Sequence, residues 1–110
     1  MIVRELVAGE GREDDLARLY GPEGIWAELL RTSPGYMHSE CHVHSTAERR
    51  FRVLDYWWSH ETFESFRRER QADCEKFSLL VHSEGVVERE TVLGAFYEDE
   101  SRPEEGLVSA

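Results

Sequence analysis

The sequence predicts an α+β domain: one four-stranded antiparallel sheet with its helices on a single face, in the order βαββαβ. Three observations predict it. Short β-prone runs alternate with stretches of helical apolar spacing, clusters of glycine, proline and serine separate them, and 110 residues suit a single hydrophobic core.

Ile2 to Val7 is short and β-prone, and Ala8-Gly9-Glu10-Gly11 breaks it before an acidic first helical turn. Helical spacing runs through Leu16, Leu19 and Tyr20, pauses at Gly21-Pro22-Glu23-Gly24, and resumes with Ile25, Trp26, Leu29 and Leu30. Proline suits a first-turn position, so this reads as a broken helix. Ser33-Pro34-Gly35 ends it, Tyr36 to His44 forms the second strand, Ser45 to Arg49 turns, and Phe51 to Trp57 forms the third strand. Ser59 is a good N-cap with Glu61 in the first turn, and Phe63, Phe66, Phe77 and Leu80 recur at helical spacing, which predicts one long helix to about His82. Glu84-Gly85 stops it, and Val86 to Tyr97 supplies the last strand, bent near Gly94. This is the ferredoxin-like order. Helices on one face leave the other face of the sheet bare and partly apolar, and a second copy of the chain is its expected cover.

Composition narrows the function classes. Asp and Glu number 23 against 13 Lys and Arg, a formal charge of −10, and the basic residues form no stripe, which argues against a nucleic-acid partner. Glu98-Asp99-Glu100 and Glu104-Glu105 mark a solvated, flexible acidic tail over residues 98–110, leaving residues 1–97 as the domain. Arg4 and Glu5 interrupt the opening segment, which lacks the apolar length of a signal peptide or membrane span, so a cytoplasmic protein with no membrane partner is expected. Cys41 and Cys74 lack zinc or redox spacing and read as reduced thiols. No phosphate loop, dinucleotide fingerprint or nucleophile elbow is present, so no cofactor is expected.

Asp55-Tyr56-Trp57-Trp58-Ser59-His60-Glu61-Thr62-Phe63 resembles the antibiotic biosynthesis monooxygenase family, whose third strand ends in W-x-S-x-E-x-F. The resemblance extends to Tyr20-Gly21-Pro22-Glu23-Gly24 with Trp26, to Pro34-Gly35-Tyr36 and to Leu93-Gly94-Ala95-Phe96, and so covers Val3 to Tyr97. It implies a dimeric α/β barrel, two sheets packed face to face, with a pocket in each subunit between the sheet and its own helices. Heme-degrading members of the superfamily carry a first-strand asparagine, the strand-three tryptophan and a helix histidine ten positions later. Here only Trp57 matches: Arg67 stands at the helix position and the sequence contains no asparagine.

Strand alternation sorts the candidate residues. His38, Glu40, His42 and His44 share one side of the second strand, where they are either metal ligands or a polar face towards solvent or a partner. Met37, Ser39, Cys41 and Val43 face the other way, and with Phe51, Val53, Asp55 and Trp57 they would line the helix-side cavity. Asp55 in an apolar pocket would have a raised pKa and serve as a proton acceptor, or it would be held in an ion pair or capping contact. Tyr20, Trp26, Tyr36, Trp57, Phe63 and Phe66 supply either core or a stacking surface. Arg67 and Arg68 would neutralise a phenolate at the pocket mouth, or simply be solvated.

Three function classes follow. One is a cofactor-independent monooxygenase acting on a small quinol or polyphenol, with Asp55 as base, Trp57 as aromatic wall and Arg67 as cation. Another is a non-catalytic binding or stress-associated dimer whose pocket holds a small hydrophobic molecule. The third is a metal- or heme-binding protein that uses the histidine strand.

Overall fold

The computed structural model describes residues 1–44 and 47–97. The expected acidic tail, and Ser45 and Thr46 of the expected turn, lie outside the described residues. The element order is β1 (Ile2–Ala8), α1 (Glu13–Tyr20), α2 (Ile25–Leu30), β2 (Tyr36–Val43), β3 (Arg50–Trp57), α3 (His60–Glu69), α4 (Gln71–Ser83) and β4 (Val87–Ala95). All neighbouring strands are antiparallel, in the order β2-β3-β1-β4. This is the α+β architecture the sequence predicts.

Alternation builds the core. On β1, Ile2, Leu6 and Ala8 turn to the helix side, and on β3 Phe51, Val53 and Trp57 do the same. Leu16, Tyr20, Trp26, Leu30, Phe63, Phe66, Phe77 and Val81 descend on them from the four helical segments. The aromatics pack as two groups. Tyr20, Trp26 and Phe77 lie with ring centroids 5.2–6.1 Å apart. Trp57 meets Tyr36, Phe63 and Phe66 at 5.1–5.7 Å.

The break between α1 and α2 falls at the predicted Gly-Pro-Glu-Gly segment, where a Cβ on Gly24 would lie 2.3 Å from the Arg18 and Leu19 carbonyl oxygens. Ser59 caps α3 as predicted: its Oγ accepts from the Thr62 N–H at 3.2 Å, while the Ser59 N–H donates to Thr62 Oγ1 at 3.2 Å.

Three expectations are corrected. The single long helix is two, α3 and α4, divided at Arg70 (φ −116°, ψ 27°). A straight helix over residues 60–83 would be about 36 Å long, whereas eight-residue strands span about 27 Å, so the break keeps both halves over the sheet. Met37 is the extra residue of an irregularity between Tyr36 and His38, since Tyr36 pairs with Trp57 and His38 with Tyr56. Tyr36 therefore packs inward against Trp57, and Met37 is exposed rather than facing the helices. Val43 lies beyond the helix cover and is exposed as well. On β4, irregularities opposite Val3/Arg4 and Val7/Ala8 leave Leu93 and Glu88 as the extra residues, the first beside the predicted bend at Gly94.

Among the described residues no helix is long and apolar enough to cross a membrane.

Candidate functional site

Asp55 is the most deeply buried carboxylate among the described residues, 1% exposed. Register explains its company: it pairs with Ile2 on β1 and with Ser39 on β2, so Ser39 and Arg4, two residues along from Ile2 on the same face, both reach it. Arg4 Nη1 donates to Asp55 Oδ2 at 2.5 Å, Ser39 Oγ to Oδ1 at 2.6 Å, and Trp26 Nε1 lies 3.1 and 3.3 Å from the two oxygens. The Tyr36 hydroxyl contacts Ser39 Oγ at 2.7 Å. Beyond Asp55 the polar line continues: Arg4 Nε lies 3.6 Å from Glu90 Oε2 on β4, and Glu90 Oε1 lies 3.7 Å from His82 Nε2 on α4. One seam of polar groups thus crosses all four strands beneath the helices.

A cavity of about 270 Å³ opens over the β4 side of this seam, between sheet and helices. Arg4 lies in its wall with its guanidinium 4.9 Å from the Trp26 ring centroid. Tyr20, Trp26, Phe63, Phe66 and Phe77 supply aromatic surface, Val92 adds an aliphatic patch, and Glu75, Glu90 and Cys74 add polar groups. Arg67 stands at the rim, 64% exposed, 5.8 Å from the Phe63 ring centroid and 3.5 Å from Glu64. Burial pushes the Tyr20 phenol well above its ordinary range, and Glu90 adds to that shift.

Of the sequence-predicted residues, Tyr20, Trp26, Phe63, Phe66 and Arg67 come together around this cavity. Asp55 stands behind Arg4 and Trp26 and is not among the lining residues. Val53 is wholly buried in the core, and Cys41 packs half-buried against it. Trp57 and Met37 line a different cavity, at the end of the sheet. Arg4 and Glu90 were missed as site residues. The available signal was parity, since an arginine at an inward position between Ile2 and Leu6 requires a buried partner.

His38, Glu40 and His42 do share the open face. Glu40 is bracketed by His38 Nε2 at 3.2 Å and His42 Nε2 at 2.8 Å, which hold its carboxyl below the ordinary range, and His38 stacks on Tyr56 at 4.3 Å. Among the described residues no three His, Cys, Asp or Glu side chains are gathered to hold a metal ion.

The chain matches no protein-family model and no curated protein closely enough to be placed in a family by comparison.

The seam generates two predictions. Asp55→Asn removes a charge that Arg4 needs in a nearly dry setting, and should lower unfolding free energy by about 2–4 kcal/mol in urea titrations. The double variant Asp55→Asn/Arg4→Gln should cost less than the sum of its single changes, because no unpaired charge is left behind. Secondly, burial, reinforced by Asp55, pushes the Cys41 thiol up from 9.0 to about 11. At pH 8 its alkylation by iodoacetamide should be about a hundredfold slower in the folded chain than in urea. The sign for stability follows: the folded state holds this proton more tightly, so the contribution is intact below pH 9.0 and is lost as pH rises towards 11.

Proposed function

We propose that this chain binds a small, electron-rich aromatic alcohol, a phenol or quinol, in the cavity between sheet and helices. The observation that supports this reading most is Arg4: a guanidinium fixed by Asp55 over the face of Trp26, in an aromatic wall, with a carboxylate beside it. Rings pack against the aromatic wall of Trp26, Phe63 and Phe77, Arg4 and Arg67 favour an oxygen carrying negative charge, and Glu90 is the carboxylate placed to accept its proton. About 270 Å³ suits one or two fused rings.

A catalytic extension of this reading is cofactor-independent monooxygenation, the activity implied by the family resemblance. The bound phenol gives its proton to Glu90, and the phenolate delivers an electron pair from a ring carbon to dioxygen. A C–O bond forms at that carbon and the peroxide takes back the proton; the carbon's own hydrogen then leaves as a proton, its C–H electron pair forms the new carbonyl and expels hydroxide from the O–O bond, and proton and hydroxide leave as water beside a quinone. Phenol plus dioxygen gives quinone plus water, with one oxygen atom in each product and the substrate as reductant. Asp55 then acts as a positioning residue, holding Arg4 and Trp26, rather than as the base.

The assembly proposed with this site is a homodimer through the open sheet faces. Val3, Leu54 and Tyr56 project from that face at one end, while Glu5 with Arg50 (3.1 Å) and Arg52 (3.8 Å) marks the other. Apolar and mixed-charge patches side by side are what a two-fold, self-complementary contact requires.

For the assembly, sedimentation at micromolar concentration should report twice the chain mass, and a monomer at that concentration refutes the dimer. For the site, 4-nitrophenol should bind with its apparent pKa lowered, read from the phenolate absorption band. Arg67→Gln should weaken that binding by about three- to tenfold without loss of stability. Failure of 4-nitrophenol, catechol and hydroquinone to bind at millimolar concentration refutes the site. Binding without oxygen uptake above the uncatalysed rate retains the binding domain and removes the oxygenase.

A further inference from the structure

A second cavity shares the aromatic lining of the first but not its charged side chains. It lies at the end of the sheet where β1 and β2 begin and β3 and β4 finish, with a volume of about 580 Å³. Met1, Met37, Tyr56, Trp57, Trp58, Phe96 and Tyr97 line it, and no Asp, Glu, Lys or Arg side chain does. Three of these are unusually exposed for their size: Met37 at 57%, Trp58 at 72% and Phe96 at 58%. The Met37 irregularity and the exit of the chain beyond β4 place them around one opening, not scattered singly over the surface.

One of the lining residues, Trp57, carries an unmet demand. Trp57 is 4% exposed, enclosed by Tyr36, Phe63 and Phe66, and its Nε1–H is buried with no hydrogen-bond acceptor among the described residues. Trp26 makes the contrast: its equally buried indole N–H is satisfied by Asp55. A buried donor left without a partner is costly, and a single acceptor atom brought to it regains that cost. The charged group that the wall does hold, the Met1 α-ammonium, donates to the Phe96 carbonyl oxygen, and no lining side chain carries a charge, so an ionic ligand would enter at a penalty.

We propose that this end-of-sheet cavity is a second binding site, for an uncharged planar aromatic molecule carrying one carbonyl-type oxygen, which accepts the Trp57 Nε1–H. The ring stacks among Tyr56, Trp58 and Phe96, and Met37 adapts to its edge. The two cavities then divide ligands by chemistry: ionisable hydroxyls go to the arginine site, neutral carbonyl arenes to the tryptophan site.

Coumarin, a neutral bicycle with a lactone carbonyl, is a suitable probe, and 2H-chromene, the same rings without the carbonyl, is its control. The chain has three tryptophans, so three indole N–H resonances report on 15N-labelled protein, with Trp57→Phe assigning one of them. Saturable coumarin binding should move the Trp57 resonance downfield, and chromene should bind at least about fivefold more weakly. Trp57→Phe should reduce coumarin binding to the level of chromene. Trp58→Ala, at an exposed position, should weaken both probes while the Trp57 resonance of the free protein stays in place, which keeps the test available should Trp57→Phe not fold. The Trp26 resonance, beside the arginine site, should not respond, so loss of one site is distinguishable from loss of the other. The proposal is overturned if coumarin does not bind at millimolar concentration, if it binds without moving the Trp57 resonance, or if chromene binds equally well. It is overturned too if, without probe, the Trp57 resonance moves with protein concentration to its coumarin-bound position, for then a second copy supplies the acceptor.

Discussion

A carboxylate in the middle of the apolar layer sets the terms for the rest of this fold. Asp55 is inward on a central strand, and an isolated charge there would be prohibitive. It is tolerated because Arg4, Ser39 and Trp26 converge on it from β1, β2 and α2. The convergence constrains each of them. β1 must pair with β3 so that Ile2 faces Asp55, β2 must place Ser39 opposite, and α2 must present the indole edge of Trp26 to the sheet. A slip of one residue in either strand pairing would turn Arg4 or Ser39 to the open face and leave the carboxylate unpaired. An ion pair of this kind adds little net stability over an apolar replacement, but it penalises every wrong register heavily.

The same bond shapes the surface that a ligand would meet. Because Asp55 holds one edge of the Arg4 guanidinium, the rest of that group is directed along the wall towards Glu90 and over Trp26. Arginine on a free strand end would sample many rotamers and would lose that freedom on binding. Held this way, its ordering has been met during folding, so less is lost when a ligand arrives. Arg67 is the opposite case: exposed at the rim and shared with Glu64, it can adjust to a ligand but contributes less per contact.

Much of the architecture was legible in the sequence because it is written in period and punctuation. Gly21-Pro22-Glu23-Gly24 announced a broken helix, Ser59 announced a cap, and Phe51-Val53-Asp55-Trp57 announced one face of a strand. The break at Arg70 was not legible, because no glycine or proline marks it and Phe66 and Phe77, eleven residues apart, lie on nearly the same face of an uninterrupted helix. It comes from the length of the sheet, a property no local window contains. The displacement of Met37 has a similar origin, since alternation assumes an unbroken ladder and one extra residue inverts it. For the site, Trp26, Phe63 and Arg67 were found from aromatic content and position, whereas Arg4 and Glu90 were hidden by distance: 86 positions separate them, and only the β1–β4 pairing brings them together.

The two cavities show how one sheet can carry different chemistries without a change of fold. The first lies where inward charged residues, Arg4 and Glu90, interrupt the apolar side of β1 and β4, so its walls are electrically patterned. The second lies where the strands run out, and there side chains are no longer sorted into two faces: Tyr56 from the open side and Trp57 from the helix side border the same space. Strand ends lack neighbours to enforce alternation, so aromatic groups from both faces can meet, but among the described residues neither face brings a polar partner for the indole between them. Within those residues the unmatched Trp57 N–H is a consequence of where the sheet stops. Within the sheet, by contrast, the register that brings Ser39 and Arg4 to Asp55 leaves Trp26 satisfied.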